Sequence, residues 1–192
     1  VCPEKFDSYF DLHEWSIRNM ESFWSQFWDF SNIKYSKSYD SVLKNPVMPG
    51  AKWFSGSELN YAENLLKGDP NQVAVISLGE SGTAKSMTFR ELNLKVSSVQ
   101  KGLINLGVKK GTIVAGFVPN CVETVIIMLA VSSLGGIWTS CSPDFGSRGV
   151  VDRFGQVNPH ILITSNGYSY NGKLFNLEDK VNGVLNAIDS IQ

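Results

Sequence analysis

From Thr112 onward, apolar stretches too short for a helix alternate with helix-length ones across short links, and this alternation constrains the fold more than any other feature. Thr112 to Val118 is nearly continuously apolar, as suits a strand covered on both faces. Pro119-Asn120 turns the chain, and Asn120 with Glu123 is expected to cap a helix from Val122 to Leu134 that is apolar almost all round. Gly135-Gly136 stops that helix, because residues without a Cβ tolerate the positive φ of a helix end. Ile137 to Cys141 reads as a second buried strand and Ser142-Pro143-Asp144-Phe145-Gly146 as the loop at its carboxyl end. Ser147 is expected to cap a helix reaching Val157, with Val150, Val151 and Phe154 inward and Asn158-Pro159 as its stop. Ile161 to Thr164 is a third strand, and Leu177, Val181, Val184, Leu185 and Ile188 fall at helical spacing. Strands and helices in this order predict an α/β fold of right-handed βαβ units around a parallel sheet. In such sheets ligands gather at the carboxyl ends of the strands, which makes the 142–146 loop the first place to look for function.

The first half reads differently. Ser8 with Asp11 opens a short helix through Leu12, Trp15 and Ile17. A second helix carries Met20, Phe23, Trp24, Phe27 and Phe30 as an aromatic stripe, expected to pack on the chain's own core. Asn45-Pro-Val-Met-Pro-Gly50 is a connector, and a short helix follows from Leu59 to Leu66. Gln72–Leu78 and Ser86–Phe89 read as two strands of a hairpin. The turn between them, Ser81-Gly-Thr-Ala-Lys85, is similar in composition to phosphate-holding loops. It lacks their longer glycine-rich nest and their place after a buried strand, so an exposed turn is expected. Thr88-Phe-Arg-Glu91 is a capping box for a helix burying Leu92, Val96, Val99, Leu103 and Leu106 before Gly107.

Composition excludes several classes. A chain of 192 residues holds one ordinary domain with a small appended segment, and 43% hydrophobic against 18% charged residues is globular. A formal net charge of −1 gives no electrostatic case for nucleic acid or an anionic membrane. Cys2, Cys121 and Cys141 are few and scattered, and with no signal peptide they point to a reduced, cytoplasmic setting. No apolar run has the ~18 to 20 residues of a membrane span. Neither His13 nor His160 belongs to a pattern with metal spacing, and no G-x-G-x-x-G follows a strand. Cys141 and Ser142 lack the elbow of a catalytic nucleophile, and Asp152 with Arg153 is expected to be a local ion pair. No catalytic and no metal-binding residue is expected in the chain.

Four runs carry a resemblance: Trp53-Phe-Ser-Gly-Ser-Glu-Leu-Asn-Tyr-Ala-Glu-Asn-Leu-Leu66, I-W-T-S-C-S-P-D-F-G from Ile137, V-D-R-F-G-Q-V-N-P from Val151, and Tyr170-Asn-Gly-Lys173. Together they resemble the adenylate-forming acyl-CoA synthetases, and among these the enzymes that activate acetoacetate. The resemblance implies a two-step ligation with acetoacetate, ATP, CoA and Mg²⁺ as substrates and no tightly bound cofactor. It implies a helical extension over residues 1–50 and, over 51–192, the first part of the adenylate-forming domain. The ATP phosphate loop would then lie past Gln192, in the remainder of the polypeptide, and the chain alone would be inactive. By the same resemblance Ser142, Pro143 and Asp144 lie against the pantetheine and nucleotide end of CoA. Tyr170, Asn171, Gly172 and Lys173 face its 3′-phosphate and pyrophosphate. Gly172 would let backbone approach the ligand, and Lys173 supplies a mobile cation. Tyr170 stands where acetyl-CoA synthetases carry arginine, which weakens the phosphate grip. Enzymes using acetate or propionate, and a non-catalytic binding domain, are the alternatives.

Overall fold

The structure, a computed structural model, describes residues 5–80, 82 and 84–191; Cys2, Ser81 and Thr83 lie outside them. The chain divides into two compact units, Val1–Asn60 and Tyr61–Gln192.

The first unit opens with α1 (Tyr9–Arg18) and α2 (Met20–Phe30). Ser8 caps α1 as the sequence suggests: its hydroxyl accepts the Asp11 N–H at 3.2 Å and donates to the Asp11 carboxylate at 2.7 Å. A hairpin of β1 (Ser41–Lys44) and β2 (Lys52–Ser55) follows, with the proline-rich connector as its loop. Sequence patterning does not reveal these two short strands, and they decide which side of α2 is buried. Trp28 is the buried residue of α2; its ring lies 4.7 Å from Phe54, 5.3 Å from Tyr39 and 5.6 Å from Tyr35. The expected stripe is instead largely at the surface, with Phe27 46% and Phe30 79% exposed. Helical periodicity identifies a face, but α2 carries aromatics on more than one, and the hairpin takes the one bearing Trp28.

The second unit begins with α3 (Tyr61–Leu65) and a hairpin of β3 (Val73–Leu78) and β4 (Ala84–Thr88). Leu78 pairs with Ala84 and Ser77 with Lys85, so the strands are antiparallel and Ala84 and Lys85, expected in the turn, belong to β4. Next come α4 (Phe89–Asn105), β5 (Ile113–Phe117), α5 (Val122–Ser133), β6 (Ile137–Cys141), α6 (Ser147–Phe154) and β7 (Ile161–Thr164). A second hairpin, β8 (Gly167–Tyr170) and β9 (Lys173–Asn176), leads into α7 (Glu178–Leu185).

The fold is α/β, as the strand–helix alternation predicts. Its parallel sheet has the order β6-β5-β7, with β5 central. Successive side chains of a strand point to opposite faces, and β5 feeds two cores in this way. Val114 joins Leu92, Val96, Ile126 and Leu129 from α4 and α5 on one face. Ala115 and Phe117 join Val150 and Phe154 from α6, Val184 from α7 and Leu177, the residue that precedes α7, on the other. Gly116 has no side chain because the Trp138 indole of β6 occupies the place a Cβ would take.

Three helix ends differ from expectation. The cap of α5 is Cys121 rather than Asn120, with no side-chain cap bond, and Thr124 Oγ1 donates to the Pro119 carbonyl at 2.8 Å. The cap of α6 is Gly146, so Ser147 is the first helical residue, and the helix ends at Phe154, before Val157. In α4 the capping box forms as read, although Leu106 is exposed.

Two outcomes follow from this packing. Trp28→Ala should cost about 3 kcal/mol or more, as buried aromatic truncations do, whereas Phe30→Ala should change stability by no more than about 0.5 kcal/mol. Urea denaturation followed by circular dichroism checks the contrast; equal losses would place both rings in the core. The Glu91 carboxyl is held below its ordinary value of 4.5, first by the Thr88 N–H and then by the Thr88 hydroxyl. A carboxyl lowered in the folded state stabilises above its unfolded pKa, and that contribution is lost as the pH falls through the folded value. Glu91→Gln should therefore lower the melting temperature near neutrality, with the gap to wild type closing at acid pH.

Candidate functional site

The carboxyl edge of the sheet is formed by Phe117, Cys141 and Thr164 at the ends of β5, β6 and β7. Thr164 Oγ1 donates to the Phe117 carbonyl at 3.1 Å and the Val118 N–H donates to the Cys141 carbonyl at 3.3 Å, tying the edge together. The 142–146 loop leaves this edge from β6. It is tightened by the Phe145 N–H donating to the Ser142 carbonyl at 3.2 Å and anchored by Pro143, which is buried. Lys180 of α7 donates to the Pro143 carbonyl at 2.9 Å, and the Arg153 guanidinium of α6 lies 4.4 Å from the centre of the Phe145 ring. Two residues outside the loop, Lys180 and Arg153, thus hold it, while Ser142 and Asp144 face solvent. Arg153 also donates to the Gly149 carbonyl at 3.1 Å, so its partners are Phe145 and backbone instead of the neighbouring Asp152.

Tyr170 and Lys173 are paired across the β8–β9 hairpin, and Asn171-Gly172 is its two-residue turn. Their φ values are 50° and 70°, both in the left-handed region that asparagine and glycine tolerate best. This is why the Asn-Gly pair stands there. All four residues are exposed. The Asn171 N–H donates to Glu80 Oε1 at 2.7 Å and the Gly172 N–H to Glu80 Oε2 at 3.3 Å. The acceptor comes from the loop of the β3–β4 hairpin, whose composition suggested only a turn.

The structure therefore places Ser142, Pro143 and Asp144 at the sheet edge and Tyr170 to Lys173 at a hairpin tip. Among the described residues no hydrogen bond, ion pair or ring contact runs between the loop and the tip. Two contributors escape the sequence reading. Lys180 is hidden because its role depends on α7 packing beside α6, and Glu80 because its contact spans more than ninety residues.

The same geometry disposes of a nucleophilic site at Cys141. Its thiol is buried and pushed up chiefly by desolvation, with Arg153 pulling the other way, which is the reverse of activation. His160 cannot serve it as a base. Its Nδ1 accepts the Ile113 N–H at 3.2 Å, at the amino end of β5, whereas Cys141 pairs with Phe117 at the carboxyl end. Four strand residues separate the two, about 13 Å.

Residues 62–190 match the family model described as AMP-binding enzyme, and residues 9–65 match the one described as acetyl-coenzyme A synthetase N-terminus. The chain belongs to the AMP-binding enzyme family. Within it, the chain is 38% identical over its whole length to the acetoacetyl-CoA synthetase of Mus musculus, of which it spans 29%. It is also 38% identical to the malonamoyl-CoA synthetase of Penicillium aethiopicum, over 96% of the chain and 27% of that protein. Among solved structures, the acetoacetyl-CoA synthetase from Streptomyces lividans superposes with a TM-score of 0.91 at 37% identity, covering 97% of this chain and 29% of that one. The chain thus spans less than a third of the length of these AMP-binding relatives. No helix among the described residues is long and apolar enough to cross a membrane.

Burial sets the expected order of cysteine reactivity. Iodoacetamide should modify Cys121, which is partly exposed, in the folded protein, and Cys141 only once the protein is unfolded. Peptide mass mapping resolves the two; early modification of Cys141 would show that the β6 edge opens in solution.

Proposed function

We propose that this chain supplies the helical extension and the first part of the adenylate-forming domain of an acetoacetate–CoA ligase acting in the cytoplasm, where it would serve ketone-body use. The observation that carries this reading is the close match, over almost the entire chain, to acetoacetyl-CoA synthetases in both sequence and backbone.

In the reaction, the acetoacetate carboxylate attacks the α-phosphorus of ATP and pyrophosphate leaves. The CoA thiolate then attacks the carbonyl of the acyl-adenylate, forming the thioester as AMP leaves. The residues described here are binding residues in that scheme. Ser142, Pro143 and Asp144 form a wall for the pantetheine and nucleotide end of CoA. A loop fixed by a buried proline, a lysine and a cation–π contact is suited to this, because it presents its polar groups without a reordering cost. Tyr170, Asn171, Gly172 and Lys173 face the phosphates of CoA, with Lys173 as the mobile cation. Mg²⁺ would enter with ATP. Among the described residues no three His, Cys, Asp or Glu side chains are grouped to hold a metal, so no step is assigned to it here. The isolated chain is expected to catalyse neither half-reaction.

The acid is a short one bearing a carbonyl β to its carboxylate. Acetoacetate and malonamate, the acids implied by the names of the relatives, differ only in a methyl or an amino group on that carbonyl. Acetate and propionate, the alternatives, lack it. A chimera in which this chain replaces the matching segment of the Streptomyces lividans enzyme tests the reading. It should convert acetoacetate faster than propionate; a preference for propionate would overturn the choice of acid.

The role of Lys173 is separable. A charge-assisted contact to phosphate is worth ~1.5 to 3 kcal/mol, roughly ten- to a hundredfold in affinity. In the chimera, Lys173→Ala should raise the Michaelis constant for CoA by about that factor and leave ATP–pyrophosphate exchange unchanged. The defect should shrink with dephospho-CoA if the 3′-phosphate is the group contacted. No loss with either ligand would return the 170–173 segment to a surface turn.

A further inference from the structure

The Asn171–Gly172 turn directs two successive backbone N–H groups at one carboxylate, that of Glu80, with one oxygen for each donor. Successive amides in a turn make a concavity suited to an anion, and hydrogen bonds to a charged acceptor are stronger than neutral ones. The geometry has no need of a carboxylate in particular. A phosphoryl group likewise offers two oxygens on one central atom, and Lys173 adjoins the same turn. Glu80 is itself exposed, so its contact is screened and weak enough to be exchanged.

We propose that Glu80 is an internal competitor for this turn: a phosphoryl group takes the Asn171 and Gly172 N–H groups only by displacing its carboxylate. Displacement would also break the contact that Glu80 makes between the β3–β4 loop and the β8–β9 hairpin. The proposal rests on the reading that the turn faces a phosphate-bearing substrate. It adds what that reading lacks, a residue of this chain that opposes the ligand. Removing the carboxylate should therefore strengthen binding. Loss of one like charge at a few ångströms in a solvated site corresponds to about a threefold to tenfold gain in affinity.

The test uses the ¹⁵N-labelled chain as wild type, Glu80→Gln and Glu80→Ala, following the Asn171 and Gly172 amide resonances. Preserved dispersion of the β5 amides reports that each variant is folded. Both variants should bind CoA threefold to tenfold more tightly than wild type, with the two amides moving as CoA is added. The same gain with dephospho-CoA would assign the pyrophosphate, and a gain confined to CoA would assign the 3′-phosphate. Equal or weaker binding by both variants, or CoA binding that leaves the two amides unmoved, would overturn the proposal. If CoA binds none of the three proteins, the CoA assignment of the turn fails on its own account. Inorganic phosphate then decides the competition: larger shifts of the two amides in the variants sustain it, and equal shifts refute it.

Discussion

The burial of β5 between two helical layers is the constraint on which the second unit depends. Val114, Ala115 and Phe117 are fully buried, yet they serve different cores, because alternate residues of one strand face opposite ways. At roughly 25 cal/mol per Å² of apolar surface, two cores sharing one strand stabilise it from both faces while its polar backbone is satisfied by β6 and β7. A central strand held in this way fixes where its neighbours end. The carboxyl edge, from which the 142–146 loop leaves, is consequently a rigid platform.

What stands on that platform is held by small forces. The loop is anchored by one buried proline, one lysine hydrogen bond and one guanidinium over a ring. The hairpin tip is held by two backbone amides on a single exposed carboxylate. Contacts of this size keep a segment in place without making it costly to move, which suits a surface that meets a substrate. The division between a stiff double core and lightly tethered edges is the physical form of the candidate site.

The first unit is organised by a different rule. Its core is a cluster of rings around Trp28, drawn from α2, the segment after it and β2. Large rings gain from edge and offset contacts as well as from burial, so a few residues can organise a small unit. The same richness in aromatics leaves others, among them Phe27 and Phe30, at the surface.

By itself the sequence determined β5, β6 and β7 with the helices between them, their order and their parallel arrangement, because runs too short for a helix alternate there with helix-length ones; the β8–β9 hairpin it did not show. It determined the β3–β4 hairpin and the capping box of α4 for a similar reason, since both are local patterns of a few residues. It also pointed to the 142–146 loop and to Tyr170–Lys173 through their composition and their resemblance to a family. The tertiary structure decided the rest. The β1–β2 strands are too short to show a period, and only their packing on α2 selects Trp28 over the stripe that helical spacing favours. The caps at Cys121 and Gly146 depend on where the preceding strands end, which local propensity does not record. Lys180 under the loop and Glu80 at the hairpin tip act across 37 and 91 residues of chain, and contacts at that separation leave no trace in any local pattern.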